Sequence, residues 1–429
     1  MTGLSAPGFP EAEVRHRARV GAAAVFPARE DYGATVFGRP CAPEEGSGTD
    51  TLDLVDAARL VPPVFMPLRL EKLIDLGREP LHSDVDLRTT VGGFGSALPL
   101  YVSAFGSTRV ASGDLGLAAS RQAGRLGIPM VIGENIVATA GYRGAAAPGL
   151  LDRLLAYQEA SVSDAVGGVV VQQSTDDADA EVWNLVYSDP GVQPLLRTGR
   201  LGFELKTGQG AKPGLGGMTL LGAEGAARAS SQYLVEPVFG ESAGQFLRSG
   251  SPGTFTAEIL ARQIQLMRNN FPRARVWVKL HPGRDVGFAA ETAWRAGADA
   301  VTVDGAEGGT GWAPTAFLRQ VGLPLGECLL EARAEGRPLL ASGRMWEGAR
   351  IVKSLALGAS AAGLGRAALL AVDEDGEAGL ARLVESIALE LRLLISALGK
   401  YRVADVHAED VRLPRGVATA RRQDTSALR

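Results

Sequence analysis

From Pro99 onward the chain repeats one pattern: a short apolar run, a glycine-containing turn, then an alanine-rich stretch of helical period. The apolar runs are Leu98–Ala104 (LPLYVSA), Pro129–Gly133 (PMVIG), Gly168–Gln172 (GVVVQ) and Leu201–Lys206 (LGFELK). They continue with Arg275–Leu280 (RVWVKL), Ala300–Asp304 (AVTVD), Pro338–Ser342 (PLLAS) and Ala361–Gly365 (AAGLG). Several are continuous Val/Ile/Leu segments without strict alternation, the pattern of strands buried on both faces of a parallel sheet. The eighth is placed more by rhythm than by its own composition. Helical patterns fall between the runs at Ser112–Leu126, Leu150–Ala165, Ala257–Asn269, Gly287–Arg295 and Met345–Leu357, and an amphipathic one follows at Leu383–Leu398. Eight strand–helix units over roughly 280 residues predict an α/β fold, a (β/α)8 TIM barrel.

The pattern also sets the expected boundaries. Residues 1–95 read as irregular, with scattered Pro and Gly and a Pro62-Pro63 pair. They are expected to form an N-terminal extension packed on the barrel, as a lid or an interface arm. Residues 96–400 are assigned to the barrel and 401–429 to a C-terminal tail whose polar end, Arg415–Arg429, is expected to be poorly ordered. One gap breaks the rhythm: residues 207–256 separate the fourth run from its helix. Loops of that length in compact domains are active-site lids or disordered segments.

Composition narrows the class. The 429 residues are 46% hydrophobic and 21% charged, which suits a globular enzyme with ample core. The net charge of −4 and the absence of a basic, aromatic-interleaved patch argue against nucleic acid. Two cysteines, Cys41 and Cys328, are too few for a disulfide framework or a cysteine-ligated cluster, and no metal site is expected. The N-terminus lacks a basic-then-apolar signal and no apolar run reaches membrane-spanning length, so a cytoplasmic protein is expected.

Three glycine-rich segments stand at predicted strand ends, where α/β barrels place their chemistry. The first, Gly208–Gly217 (GQGAKPGLGG), follows the fourth run and is half glycine, so backbone can approach a ligand without a Cβ in the way. Gln209 and Lys212, the latter fixed before Pro213, are its amide and its cation. The second is Asp304–Gly311 (DGAEGGTG), where Glu307, Gly308, Gly309 and Thr310 offer backbone N–H groups and a hydroxyl to an anion; turns use the same residues. The third, Gly363–Ala367 (GLGRA), spans the eighth strand end, where barrel enzymes frequently bind phosphate at a helix N-terminus. Gly363, Gly365 and Arg366 would supply that site, unless Arg366 is simply a solvated surface arginine. Lys279 lies inside the fifth strand, where an ammonium is costly unless it meets an anion. Its bland alternative is a strand-end lysine reaching solvent. His281 shares its face and reads as structural. Glu134, in GEN after the second run, and Ser103, Ala104 and Phe105, in SAFGS after the first, are further candidates that could equally be caps or turn residues.

Together these segments resemble the FMN-binding barrel of the glutamate synthase family. GQGAKPGLGG is similar to that family's substrate-proximal loop, and VWVKLHPGRDVG with AVTVDGAEGGTGWAP to its fifth and sixth strand region. SGRMWEGARIVKSLALGASAAGLGRAALL resembles the seventh and eighth units that hold the FMN phosphate, which adds Gly343 and Arg344; SAFGS and GEN are looser matches. The resemblance covers roughly residues 90–400 and implies FMN as cofactor. Lys212, Gln209 and Glu134 would then be catalytic, and Lys279 would face the pyrimidine edge of the ring. The implied activity is oxidoreduction of a small amino-, imino- or oxo-acid by hydride transfer at flavin N5. A reductase or other electron-transfer partner is open, as is a homo-oligomer.

The sequence departs from the family in several places. Residues 369–400 contain no cysteine, so the family's iron–sulfur centre is not expected, nor is its glutaminase domain, with Thr2 where the cysteine nucleophile would stand. Ala306-Glu307 replaces His-Asp before GGTG, the phosphate loop carries Arg366 instead of threonine, and the long loop reads SGSPGTFTAEIL. Two other readings stay open at this level: a flavin barrel serving as dehydrogenase or oxidase in a specialised pathway, and a catalytically inactive FMN-binding or scaffold subunit of a larger complex.

Overall fold

Eight parallel strands close on themselves, each hydrogen-bonded to its sequence neighbour and the last to the first. A computed structural model describes residues 4–27, 53–105, 115–133, 149–174, 182–208, 210, 219–231, 233–238, 240, 244–249, 254, 256–308 and 314–414. The barrel strands are β1 (Leu100–Phe105), β2 (Met130–Ile132), β3 (Val169–Ser174) and β4 (Leu201–Lys206), then β5 (Arg275–Leu280), β6 (Ala300–Asp304), β7 (Leu339–Ser342) and β8 (Ala361–Leu364). All eight coincide with the apolar runs. The barrel is a (β/α)8 TIM barrel, with helices such as Leu115–Leu126, Leu150–Ala160, Ala257–Asn270, Val286–Arg295 and Gly348–Ala356 around it. Outward strand residues and the inner faces of these helices make one continuous apolar cluster.

The weak eighth run has a physical explanation. Gly363 of β8 lies opposite Tyr101 of β1. A Cβ on Gly363 would come 2.5 Å from the tyrosine ring. Gly363 carries no side chain because Tyr101 already fills that space.

Inside the barrel a second, separate apolar cluster forms a floor: Val91, Phe94, Tyr101, Val131, Val170, Trp277, Ala300, Leu340 and Ala361. Val91 and Phe94 come from an antiparallel hairpin, Thr89–Val91 with Phe94–Ser96, that plugs the N-terminal end. Its turn residue Gly92 sits at φ +55, and a Cβ there would meet the Trp277 indole at 2.2 Å, so only glycine fits. The Trp277 Nε1–H donates to the Gly92 carbonyl at 2.8 Å, satisfying the one polar atom of a wholly buried indole.

Segments read as irregular or as loop contain structure the pattern did not reveal. The helix Glu11–Val20 packs on the helices Arg366–Glu374 and Gly379–Ala397. Pro67–Leu76 is a helix with no buried residue. The long segment after β4 carries an antiparallel sheet, Thr219–Gly222 and Leu234–Pro237 flanking Gln245–Ser249, and a helix at Ala223–Ala229. Short strands and non-repeating caps carry little periodic signal.

Trp277→Ala should cost about 3–5 kcal/mol of folding stability, the range for deleting a buried large aromatic. Chemical denaturation of the two proteins measures it; an unchanged midpoint would remove the indole from its place as keystone of the floor.

Candidate active site

Parallel register decides which side chains meet above the floor. It sets Gln172 beside Glu204, Lys279 beside Lys206 and Thr302, and Asp304 beside Ser342. Glu204 is 1% exposed and accepts from Gln172 Nε2 at 2.5 Å and from Thr302 Oγ1 at 3.1 Å. Burial raises its carboxyl above the ordinary range, against the pull of Lys279, both hydrogen bonds and Lys206. Lys279 Nζ lies 3.4 Å from Asp304 Oδ2, with both side chains buried. Asp304 also accepts from Ser342 Oγ at 2.8 Å and from the Gly210 N–H at 3.0 Å. Burial pushes the Tyr101 hydroxyl, beside Thr302 and Ser342, well above its usual range.

The exits of β7 and β8 form a second, cationic group. After β7 the chain passes through Gly343 (φ 126) and Arg344, which holds φ 57 as a non-glycine residue. Arg344 pairs with Asp56, while its buried Nε has no hydrogen-bond partner. After β8 the helix Arg366–Glu374 starts at Gly365 without a side-chain cap, and open space lies where a Gly365 Cβ would point. Arg366 donates to the Glu307 carbonyl and stacks over Phe9 at 4.5 Å. Burial lowers its pKa; Asp304 and Glu307 oppose this and Arg344 adds to it. Gly343, Gly305 and Gly308 crowd together: a Cβ on Gly343 would lie 3.2 Å from the Gly305 nitrogen, and one on Gly308 would lie 2.5 Å from Asp304 Oδ1.

Beneath these loops lies a buried ionic knot. Arg350 has no exposed surface. Its NH1 reaches Asp53 Oδ2 at 2.6 Å and Asp56 Oδ1 at 2.7 Å, its Nε donates to the Gly343 carbonyl at 3.3 Å, and its NH2 lies 3.6 Å from Glu307 Oε1. The Leu325 N–H donates to the Glu307 carboxylate at 3.0 Å and 3.1 Å. Asp53 also caps its own short helical turn through the Val55 and Asp56 N–H groups. Burial lifts the Glu307 carboxyl to about 7, with Arg350 opposing and Asp53 reinforcing the rise.

The sequence candidates sort accordingly. Ser103 is buried at the end of β1, with Ala104 and Phe105 half-buried beside it. Lys279 is engaged by Asp304 inside the mouth. Gly308, Gly343, Arg344, Gly363, Gly365 and Arg366 lie at the β6–β8 exits. The Glu307 side chain turns to Arg350 and Leu325, so its link to the cationic group is its carbonyl. Gln209, Lys212, Glu134, Gly309 and Thr310 lie outside the described residues.

From sequence, Glu204 and Lys206 take no role and Asp304 is only the first residue of a glycine-rich segment, although charged residues on the inward face of apolar strands are a usable signal. Arg350, Asp53 and Asp56 carried none, because their meaning lies in distant partners. His281 lines a cleft of about 410 Å³ with Gly210, Pro282, Arg284, Val321 and Leu323, and burial lowers its pKa. Among the described residues no group of His, Cys, Asp and Glu could hold a metal ion, and no helix is long and apolar enough to cross a membrane.

Residues 166–374 match the conserved region of glutamate synthase. The chain is 36% identical over 195 residues to an archaeal-type glutamate synthase [NADPH] of Dehalococcoides mccartyi, covering 42% of this chain and 37% of that one. It is 32% identical over 214 residues to a glutamate synthase large subunit-like protein of Rhizobium meliloti, covering 47% of each. These matches thus span less than half the length of those curated relatives. Among solved structures, a soluble mutant of the membrane-associated (S)-mandelate dehydrogenase from Pseudomonas putida aligns over 95% of this chain and 99% of its own, at 18% identity and a TM-score of 0.54. A mandelate oxidase mutant with a monooxide FMN adduct aligns over 84% and 89%, at 19% identity and a TM-score of 0.50. The structural likenesses are likenesses of fold. The resemblance to the central barrel of glutamate synthases holds from the segment before β3 to the helix after β8.

The raised Glu307 carboxyl has a consequence for stability. Its folded-state pKa lies above the unfolded value, so the folded protein binds this proton more tightly. That contribution is fully present below pH 4.5 and is lost as the pH rises through about 7. Denaturant midpoints should therefore fall across this window, and Glu307→Gln should flatten the slope. A variant that keeps the wild-type slope would assign the proton elsewhere.

Proposed function

We propose that this glutamate synthase-like barrel is an FMN-dependent oxidoreductase acting on a small amino-, imino- or oxo-acid. FMN bound at the mouth would supply hydride transfer at its N5 position. The observation that carries the reading is the cationic group at the β7 and β8 exits: a helix N-terminus without a side-chain cap, an open Cβ position at Gly365, and Arg344 and Arg366, the former with a buried, unpartnered Nε. A phosphate monoester suits that donor set, because the helix dipole, backbone N–H groups and guanidinium forks all favour a compact dianion.

The remaining candidate residues would divide the work. Gly343, Arg344, Gly363, Gly365 and Arg366 would hold the phosphate end, with Gly308, Gly309, Thr310 and the Glu307 backbone completing the loop. Ser103, Ala104 and Phe105, at the end of β1, would border the ring. Lys279 and Lys206 are buried side by side on β5 and β4, and Lys279 would stabilise negative charge on the ring's pyrimidine side. Lys212 and Gln209 would hold the substrate carboxylate and polarise its nitrogen or oxygen, and Glu134 would act as a proton-transfer group.

The electron source follows the same logic. Relatives are named for NADPH and, at 28% identity, for ferredoxin. A reductase or other electron-transfer partner is proposed here for the reductive direction, and the same site supports oxidation of an amino acid with an external acceptor.

The purified protein should be yellow or take up FMN, and Arg366→Ala should weaken FMN binding at least tenfold in a fluorescence titration. Lys212→Ala should abolish turnover of the responding amino or oxo acid while FMN stays bound. Protein that takes up no FMN would overturn the reading; loss of FMN from the lysine variant would move Lys212 from substrate to cofactor.

A further inference from the structure

The Asp304 carboxylate stands between Gly210, in the glycine-rich segment after β4, and the inward lysine of β5. It is 5% exposed, at the last position of β6. Its Oδ2 takes the Gly210 N–H at 3.0 Å and lies 3.4 Å from Lys279 Nζ, so one oxygen serves both. Its Oδ1 takes the Ser342 hydroxyl at 2.8 Å. The surroundings are shaped around this carboxylate: a Cβ on Gly308 would come 2.5 Å from Oδ1. Gly210 is buried and confined from its other side as well. A Cβ on Gly322, which sits at φ +105, would come 3.2 Å from the Gly210 carbonyl oxygen.

We propose that Asp304 is a positioning residue that seats the glycine-rich loop at Gly210 and, through its pair with Lys279, sets the charge presented to the flavin; the second half rests on the FMN reading above. Without Asp304, Lys279 would keep Glu204 as its nearby carboxylate and would offer more positive charge to a reduced, anionic ring. Paired with Asp304 it offers much less, because the two charges act together as a dipole at the distance of the ring. The potential of the flavin is therefore held lower than the lysine alone would place it. Because Oδ2 serves both groups, the seat of Gly210 and the charge offered by Lys279 depend on one carboxylate oxygen.

Two substitutions separate the parts. Asp304→Asn keeps a carbonyl oxygen for the Gly210 amide but removes the negative charge. The midpoint potential of the bound FMN should shift to more positive values, while hydrogen exchange in the peptide that carries Gly210 stays at the wild-type rate. Asp304→Ala removes the acceptor altogether, and exchange in that peptide should become at least tenfold faster, in protein with or without flavin. An unchanged potential in the asparagine variant overturns the charge role. Unchanged exchange in the alanine variant overturns the seating role. If the alanine variant does not fold, Asp304→Ser, too short to reach Gly210, gives the same exchange reading. Wild-type protein that binds no FMN defeats the functional reading and the charge role with it, whereas the exchange measurement decides the seat in either case.

Discussion

Arg350 is the interaction on which the functional end of this barrel depends. A guanidinium with no exposed surface must find its partners within the protein, or the cost of burying its charge is several kcal/mol. The chain meets that demand with Asp53 and Asp56, which lie 297 and 294 residues away in sequence. Because the same arginine holds the Gly343 carbonyl and faces Glu307, it ties the β6 and β7 exits to a segment outside the barrel. Arg344 and Arg366 are each met by that N-terminal region too, through Asp56 and the Phe9 ring. The loops proposed to hold a phosphate are thus braced from behind by residues that never enter the barrel.

The barrel interior is divided by chemistry. Its lower half is a dry aromatic and aliphatic plug, closed by Trp277 and the Gly92 turn. Its upper half holds Glu204, Lys206, Lys279 and Asp304, all less than a tenth exposed. Burying two cations beside two carboxylates is tolerable only when each finds hydrogen-bond partners, as Glu204 does in Gln172 and Thr302 and Asp304 in Ser342 and Gly210. The plug keeps water away from this layer from below, so its charges act in a medium of low polarity.

Much of this was legible in the chain itself. Continuous Val/Ile runs such as Gly168–Gln172 announce strands with both faces covered, and glycine clusters at their ends announce loops that approach a ligand. Ala361–Leu364 was harder to read because its composition answers to Tyr101, a residue on the other side of the closure. Lys279 was visible as an anomaly, but its partner Asp304 was hidden inside a loop motif that drew attention to its glycines. The role of the Glu307 side chain was not readable. Its orientation is set by Leu325 and by Arg350, Asp53 and burial, none of which leaves a trace at spacing three or four. The helices of residues 11–20 and 67–76 likewise owe little to periodic pattern.

The contact between Tyr101 and Gly363 also bears on how the molecule is made. One belongs to the first barrel strand and the other to the last, and each is shaped to fit the other. On the ribosome, β1 emerges long before the strand that completes its pairing, so its inner edge must wait unpaired while the intervening units are synthesised. The hairpin at residues 89–96 precedes β1 and is available from the start, yet its Trp277 partner arrives only with β5. Closure is therefore a late and non-local event, of the kind that slows folding and lengthens exposure to aggregation and to chaperones.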